Sequence, residues 1–290
     1  MWLDGLYAEV ACIWEATARK PGNVHRYRDF SDSSYVDFLL SAVAVGRVMA
    51  VADQHAVGAT VFEGVDVTKH VTSTNTNLGI LLLLAPLAKA RWPRSRDEPS
   101  LRENLACVLN ELDVRDAESV YAAIRWVNPA GLGQVAEQDV HEKPTQTLRQ
   151  VMALAADRDL IARQYANGFR EVFDEGVPAL AQGLAESSSL EDAIIRCQLE
   201  FMANHPDSLI ARKRGLAEAE EASRRARAVL AGEATLGELD AWLREEGHGR
   251  NPGTTADLVA TSLFVALREG IITLPRNFTS PKRGSGSGHD

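Results

Sequence analysis

An all-α protein is what the sequence predicts, on three observations. Apolar residues recur at helical spacing over most of the chain. Strict apolar–polar alternation is almost absent, and Ile271, Ile272 and Thr273 are the one β-like scrap. The stretch 74–90 is apolar nearly all round after its polar first turn, which suits a helix buried at the centre of a helical domain. The expected architecture is a single compact multi-helix domain over 1–275 with that buried central helix.

The first helix is expected over 1–19, stopping before Pro21 because the residue preceding a proline avoids the α region. A loop covers 21–33. A mostly apolar helix follows over 35–53, with Val36, Leu39, Leu40, Val43, Ala44 and Val48 on a broad face. After the central helix, 93–99 is a charged, proline-bounded loop. Two amphipathic helices are expected over 101–112 and 117–127, and 128–145, with Gly131 and Gly133, reads as a loop. Helices resume over 145–156, 159–175, 178–186, 190–203, 208–230 and 236–246. A glycine-rich turn over 247–254 leads to the last core helix at 255–269. The tail 276–290 contains Gly-Ser-Gly-Ser-Gly and is expected to be disordered.

Composition sets limits on function. The 290 residues hold 31 Lys and Arg against 40 Asp and Glu, a net charge of −9, so no global attraction draws the chain to nucleic acid or an anionic membrane. Any anionic ligand must be held by a local basic cluster. The three cysteines, Cys12, Cys107 and Cys197, are far apart in apolar stretches, which argues for buried thiols and against a disulfide framework or a cysteine zinc site. The longest apolar run, 78–88, is about half of what a bilayer needs. With no signal peptide at the start, a reducing, cytoplasmic location is expected.

Polar residues meet apolar helices at four junctions. The first is Glu15, then Lys20-Pro21-Gly22-Asn23-Val24-His25-Arg26, with Asp29 and Asp32 beyond. Glu15 lies among apolar neighbours and needs a partner, because an unpaired buried charge is very costly. Lys20 and Arg26, with His25 as a further cation, suit a phosphate chain; a solvated loop fits the spacing equally. The second is Ser73-Thr74-Asn75-Thr76-Asn77-Leu78-Gly79, where a helix start either binds an anion or is simply capped. The third pairs Asp159 with Arg163, four residues on, as a surface ion pair or a ligand-facing one; Asp207 with Arg212 and Lys213 repeats the pattern. The fourth is Arg250-Asn251-Pro252-Gly253-Thr254-Thr255-Ala256-Asp257-Leu258, a turn, a cap and a carboxylate in the first helical turn. Phosphate-loop, dinucleotide, zinc-protease and serine-hydrolase motifs are absent. Acids, amides and basic residues at loop–helix junctions suit an oxygen-ligated divalent cation and a polyphosphate better than a nucleophilic triad.

Together these junctions resemble the triphosphoribosyl-dephospho-CoA synthase family over roughly residues 8–270. The family's Glu followed by Pro-Lys-Pro-Gly-Leu-Val is matched by Glu15 and Lys20-Pro21-Gly22-Asn23-Val24. Its His-x-Asp-Met element is matched at Asp32, and its Asn-Thr-His-Lys-Gly in part by Asn75-Thr76-Asn77-Leu78-Gly79. Asp207-Ser208-Leu209-Ile210 and 252–258 complete the order. Phe30 stands where the family has a histidine, and Asn77 and Leu78 replace a histidine and a lysine. This pattern is similar to a divergent branch found alongside tetrahydromethanopterin-type cofactor synthesis.

The resemblance implies a transferase that moves the triphosphoribosyl group of ATP to a ribose hydroxyl of 3′-dephospho-CoA or a related precursor, releasing adenine. It implies Mg²⁺, with Glu15, Asp32 and Asp257 as metal ligands or catalytic base. Lys20, Gly22 and Arg26 are expected at phosphates, Asn75, Thr76 and Asn77 at the nucleotide, and Arg212 and Lys213 as a second phosphate cluster. The expected partners are small molecules, with homo-oligomerisation left open. A metal-dependent hydrolase of N-glycosidic or ADP-ribosyl bonds and a non-catalytic helical protein stand as alternatives.

Overall fold

The computed structural model describes residues 2–91, 98–129, 137–187, 189–275 and 278. Among them lie fourteen α-helices and no strand. In chain order these are α1 (Trp2–Thr17), α2 (Tyr35–Met49), α3 (Val57–Lys69), α4 (Leu78–Lys89), α5 (Leu101–Glu111), α6 (Val114–Val127) and α7 (Leu148–Ala153). There follow α8 (Leu160–Asn167), α9 (Val177–Glu186), α10 (Leu190–Asn204), α11 (Ser208–Arg214), α12 (Leu216–Leu230), α13 (Leu236–Arg244) and α14 (Gly253–Arg268). A π-helical turn, Val172–Gly176, runs directly into α9.

Local chemistry starts many of these helices. Ser34 with Asp37, Ser100 with Glu103, Asp113 with Asp116, Thr147 with Gln150 and Thr235 with Glu238 each form a capping box, satisfying backbone N–H groups that the first turn leaves free. Gly215, at φ +96°, interrupts what the sequence presents as one helix over 208–230 and separates α11 from α12. A residue with a side chain is strained in that backbone region.

The central helix is α4, with every residue from Ile80 to Ala88 buried. It packs against α2, α3, α5, α8 and α14. Pro86 has no N–H, so the Leu82 carbonyl one turn earlier lacks its helical donor. The buried Tyr165 hydroxyl of α8 donates to that carbonyl at 2.6 Å and joins the two helices at the gap. At the other end of α4, the guanidinium of buried Arg268 donates to the carbonyls of Leu87 and Ala90, which a helix terminus leaves unsatisfied. A second, smaller apolar cluster joins α10, α11, α12 and α13 through Met202, Ile210, Ala222 and Leu243.

Several expectations need correction. The helix α3 was not anticipated. The polar residues 74–77 precede the central helix and are not its first turn. Cys107 is exposed, on the outer side of α5, while Cys12 and Cys197 are buried as expected. Ile271–Thr273 forms no strand. The expected disordered tail lies outside the described residues except for Phe278, whose carbonyl accepts from the Glu191 N–H at 3.0 Å. No helix among the described residues is long and apolar enough to cross a membrane.

Candidate functional site

Four junctions distant in sequence meet at one cavity of about 900 Å³. The first turns of α4, α8, α11 and α14 all contribute lining residues, and the loop over 23–33 forms the mouth with 248–251. Two tethers hold the mouth together. The buried Asn23 amide donates to Asn251 Oδ1 at 2.7 Å, and Gln198 of α10 donates to Asn23 Oδ1 at 2.8 Å. On the α14 side, the Asp207 carboxylate caps α11 through the Leu209 and Ile210 amides and also accepts from the Thr255 amide and hydroxyl. One buried carboxylate thereby fixes the starts of two helices, and these hydrogen bonds offset the burial that raises its pKa.

Of the cavity carboxylates, Asp257 is the one without a protein partner among the described residues. It sits in the first turn of α14 against α4 at Gly79, where a Cβ would fall 2.0 Å from Asp257 Oδ2. Only glycine leaves room for a carboxylate that close to the helix start. Burial raises the Asp257 pKa well above the ordinary carboxylate range, and the charges of Glu15 and Asp207 push it further. No hydrogen bond or ion pair from the described residues satisfies its oxygens.

The other lining carboxylates are paired. Glu15 Oε1 lies 2.6 Å from Lys20 Nζ, with both side chains buried. Asp159 caps α8 through the Ile161 and Ala162 amides, and its second oxygen accepts from Arg212 at 2.6 Å. The expected Asp159–Arg163 pair does not form, because Arg163 turns to the carbonyls of Ala156 and Asp157. Asp32 lies at the half-exposed rim, with Oδ2 2.9 Å from Nδ1 of His248.

Basic groups occupy another part of the lining: Arg158, Arg212 and Lys213. Burial lowers the Lys213 pKa, opposed by the nearby Asp32 charge. The amides serve local structure first. Asn75 Oδ1 accepts from the Leu78 amide, Asn77 donates to Thr68 Oγ1 on α3 at 2.8 Å, and the hydroxyls of Thr76 and Ser41 meet. All three of these residues line the cavity.

The structure thus brings Glu15, Asp32, Asp257, Asn75, Thr76, Asn77, Arg212 and Lys213 to one cavity. It does not bring Lys20, Gly22 or Arg26 to the lining. Lys20 is the counter-ion of Glu15, the Gly22 N–H donates to Asp240 at 2.8 Å, and Arg26 donates to Glu191 and to the Thr17 carbonyl. His25 is not a cation near neutrality: burial and the charges of Arg244 and Lys20 hold its pKa at about 4. Among the described residues no three of His, Cys, Asp and Glu group as a metal would require. Sequence reasoning missed His248, whose only signal is a histidine between Gly247 and Gly249; Arg158 stands in the third junction, Asp157-Arg158-Asp159, where the sequence assigns it no role.

The class defined here is an all-α protein with a pocket of nucleotide size, lined by carboxylates and bases at helix starts. The chain belongs to the CitG family, described as ATP:dephospho-CoA triphosphoribosyl transferase, which it matches over residues 5–274. That family is one of transferases. Among solved structures, the chain resembles a protein of Archaeoglobus fulgidus provisionally assigned as a triphosphoribosyl-dephospho-CoA synthase, with 29% identity and a TM-score of 0.63. The likeness covers 81% of this chain and 100% of that one. No curated protein matches the chain significantly.

Proposed function

We propose that this cavity transfers the triphosphoribosyl group of ATP to a ribose hydroxyl of dephospho-CoA or a related cofactor precursor, releasing adenine. The observation that carries the reading is a single cavity with an unsatisfied carboxylate, Asp257, and a basic group, Arg158, Arg212 and Lys213, in its lining. Phosphates need the second; a sugar that turns cationic as its base departs needs the first.

The acceptor hydroxyl attacks C1′ as the C1′–N9 bond breaks. Asp257 takes the hydroxyl proton; burial and the charges of Glu15 and Asp207 raise its pKa, which makes it a stronger base than an ordinary carboxylate. Glu15 adds negative charge near the cationic sugar, with Lys20 fixing its position. Arg212, oriented by Asp159, and Lys213 hold phosphate oxygens. Glu15 and Asp159 are already paired with the cations of Lys20 and Arg212, and Asp32 lies against His248; in this reading Mg²⁺ arrives as part of the MgATP substrate. A cytoplasmic location belongs to the same reading, because ATP is the donor.

The test is adenine release from MgATP against a panel of acceptors: dephospho-CoA, pterins and other hydroxyl-bearing cofactor precursors. Release that depends on one acceptor is expected. Release at the same rate with no acceptor would identify a hydrolase, and no release with any acceptor would remove the transferase reading.

A further inference from the structure

The cavity rim carries a group that the reaction above leaves unused. His248 lies in the turn between α13 and α14, and its Nδ1 is 2.9 Å from Asp32 Oδ2. The same ring meets Phe30 edge to face, with centroids 6.0 Å apart. No described residue hydrogen-bonds Nε2. Lys213, one of the basic lining residues, reaches the His248 carbonyl at 3.4 Å, so the turn is held against the basic part of the cavity. Segment 30–38 adds Phe30, Ser33 and Phe38 to the same lining. The rim therefore combines the aromatic side chains Phe30 and Phe38 with an imidazole whose second nitrogen has no partner among the described residues.

We infer that His248, held by Asp32, is the acid that protonates the departing purine. This rests on the transfer reading above. In the step, the C1′–N9 bond breaks and its electron pair goes to the purine, while the C1′–O bond to the acceptor forms. The imidazolium gives its Nε2 proton to a purine ring nitrogen, and Asp257 takes the proton of the acceptor hydroxyl. The net change is one proton moved from hydroxyl to adenine, and both groups return to their starting states by exchange with solvent. Asp32 is a positioning residue: its Oδ2 lies 2.9 Å from Nδ1, which leaves Nε2 for the substrate. A purine anion is a poor leaving group, so a proton donor at this end of the bond is needed as much as a base at the other.

The experiment compares His248→Gln with the wild type on two donors, ATP and N7-methylated ATP, each with the acceptor that supports adenine release. The methylated purine carries its own positive charge and leaves as a neutral base without a proton. On ATP the variant should lose about 10²-fold or more in turnover. On the methylated donor it should stay within about threefold of the wild type, which also shows that it is folded. Asp32→Asn should follow the same split with a smaller loss. Equal losses on both donors overturn the inference, as does unchanged turnover on ATP. Failure of the wild type to use the methylated donor also counts against it, because a reaction limited by base protonation must tolerate a base already charged. None of these outcomes is the same as failure of the wild type to release adenine from ATP, which overturns the transfer reading itself.

Discussion

Lys20 and Glu15 make a buried ion pair with side chains 0% and 5% exposed and 2.6 Å between charged atoms. The contact is one of charge, since Nζ has no well-aligned hydrogen-bond acceptor. Replacing Lys20 by Met strands a carboxylate that already faces Asp257; replacing Glu15 by Gln strands a fully buried ammonium. Breaking a buried pair from either side costs about 3–5 kcal/mol. For a chain of this size, each kcal/mol moves Tm by about 2–4 °C, so either single variant should melt roughly 6–20 °C lower. The double variant Lys20→Met/Glu15→Gln removes both charges and should recover most of that loss, so the coupling energy should be at least about 3 kcal/mol, the size of one single-variant loss. Thermal unfolding by circular dichroism, run as a double-mutant cycle, measures each corner. Single variants within about 1 kcal/mol of the wild type, or strictly additive losses, would refute the argument. A Lys20→Met protein with unchanged Tm and weakened ATP binding would return Lys20 to the phosphate role that the sequence suggests.

Three further outcomes are expected. Asp257→Asn should lower adenine release by about 10²-fold or more. In metal-free buffer it should also raise Tm: the wild-type carboxylate has a folded pKa above its unfolded one, so the protein loses stability as pH rises through that window, and the variant should not. His25 behaves oppositely. Its folded pKa of about 4 lies below the usual 6.5, so stability should fall as pH drops from about 6.5 toward 4, and His25→Gln should flatten that fall in a pH series of melting curves. Arg212→Ala should raise KM for ATP about tenfold or more, because a charge-assisted phosphate contact is worth about 1.5–3 kcal/mol; unchanged KM would place the phosphates elsewhere.

Much of the fold is legible in the chain because helix-forming patterns are local. Periodicity locates the central helix, Pro21 marks a break, and the glycines over 247–253 mark a turn. The failures are equally physical. The helix α3 contains Gly58 and Gly64 with Val57, Thr60, Val61 and Val65, residues of low intrinsic helix preference. It is helical because it is packed between α4 and α6. Over 208–230 the periodicity runs straight through Gly215, and nothing local shows that the backbone turns there. Cys107 sits among apolar letters, but only the packing of Leu101, Leu105, Val108 and Leu109 decides which side of α5 faces inward.

For the site, the sequence by itself determined the candidates: the acids, amides and bases at helix starts, and the order of motifs that points to the family. It could not determine partners. Whether Lys20 meets phosphate or Glu15, whether Arg212 or Arg163 takes Asp159, and whether Asp32 stands with Asp257 or with His248 are set by contacts between segments that lie 5 to more than 200 positions apart. Charge is a property of a residue, but burial and pairing are properties of a place, and the tertiary structure alone assigns the place.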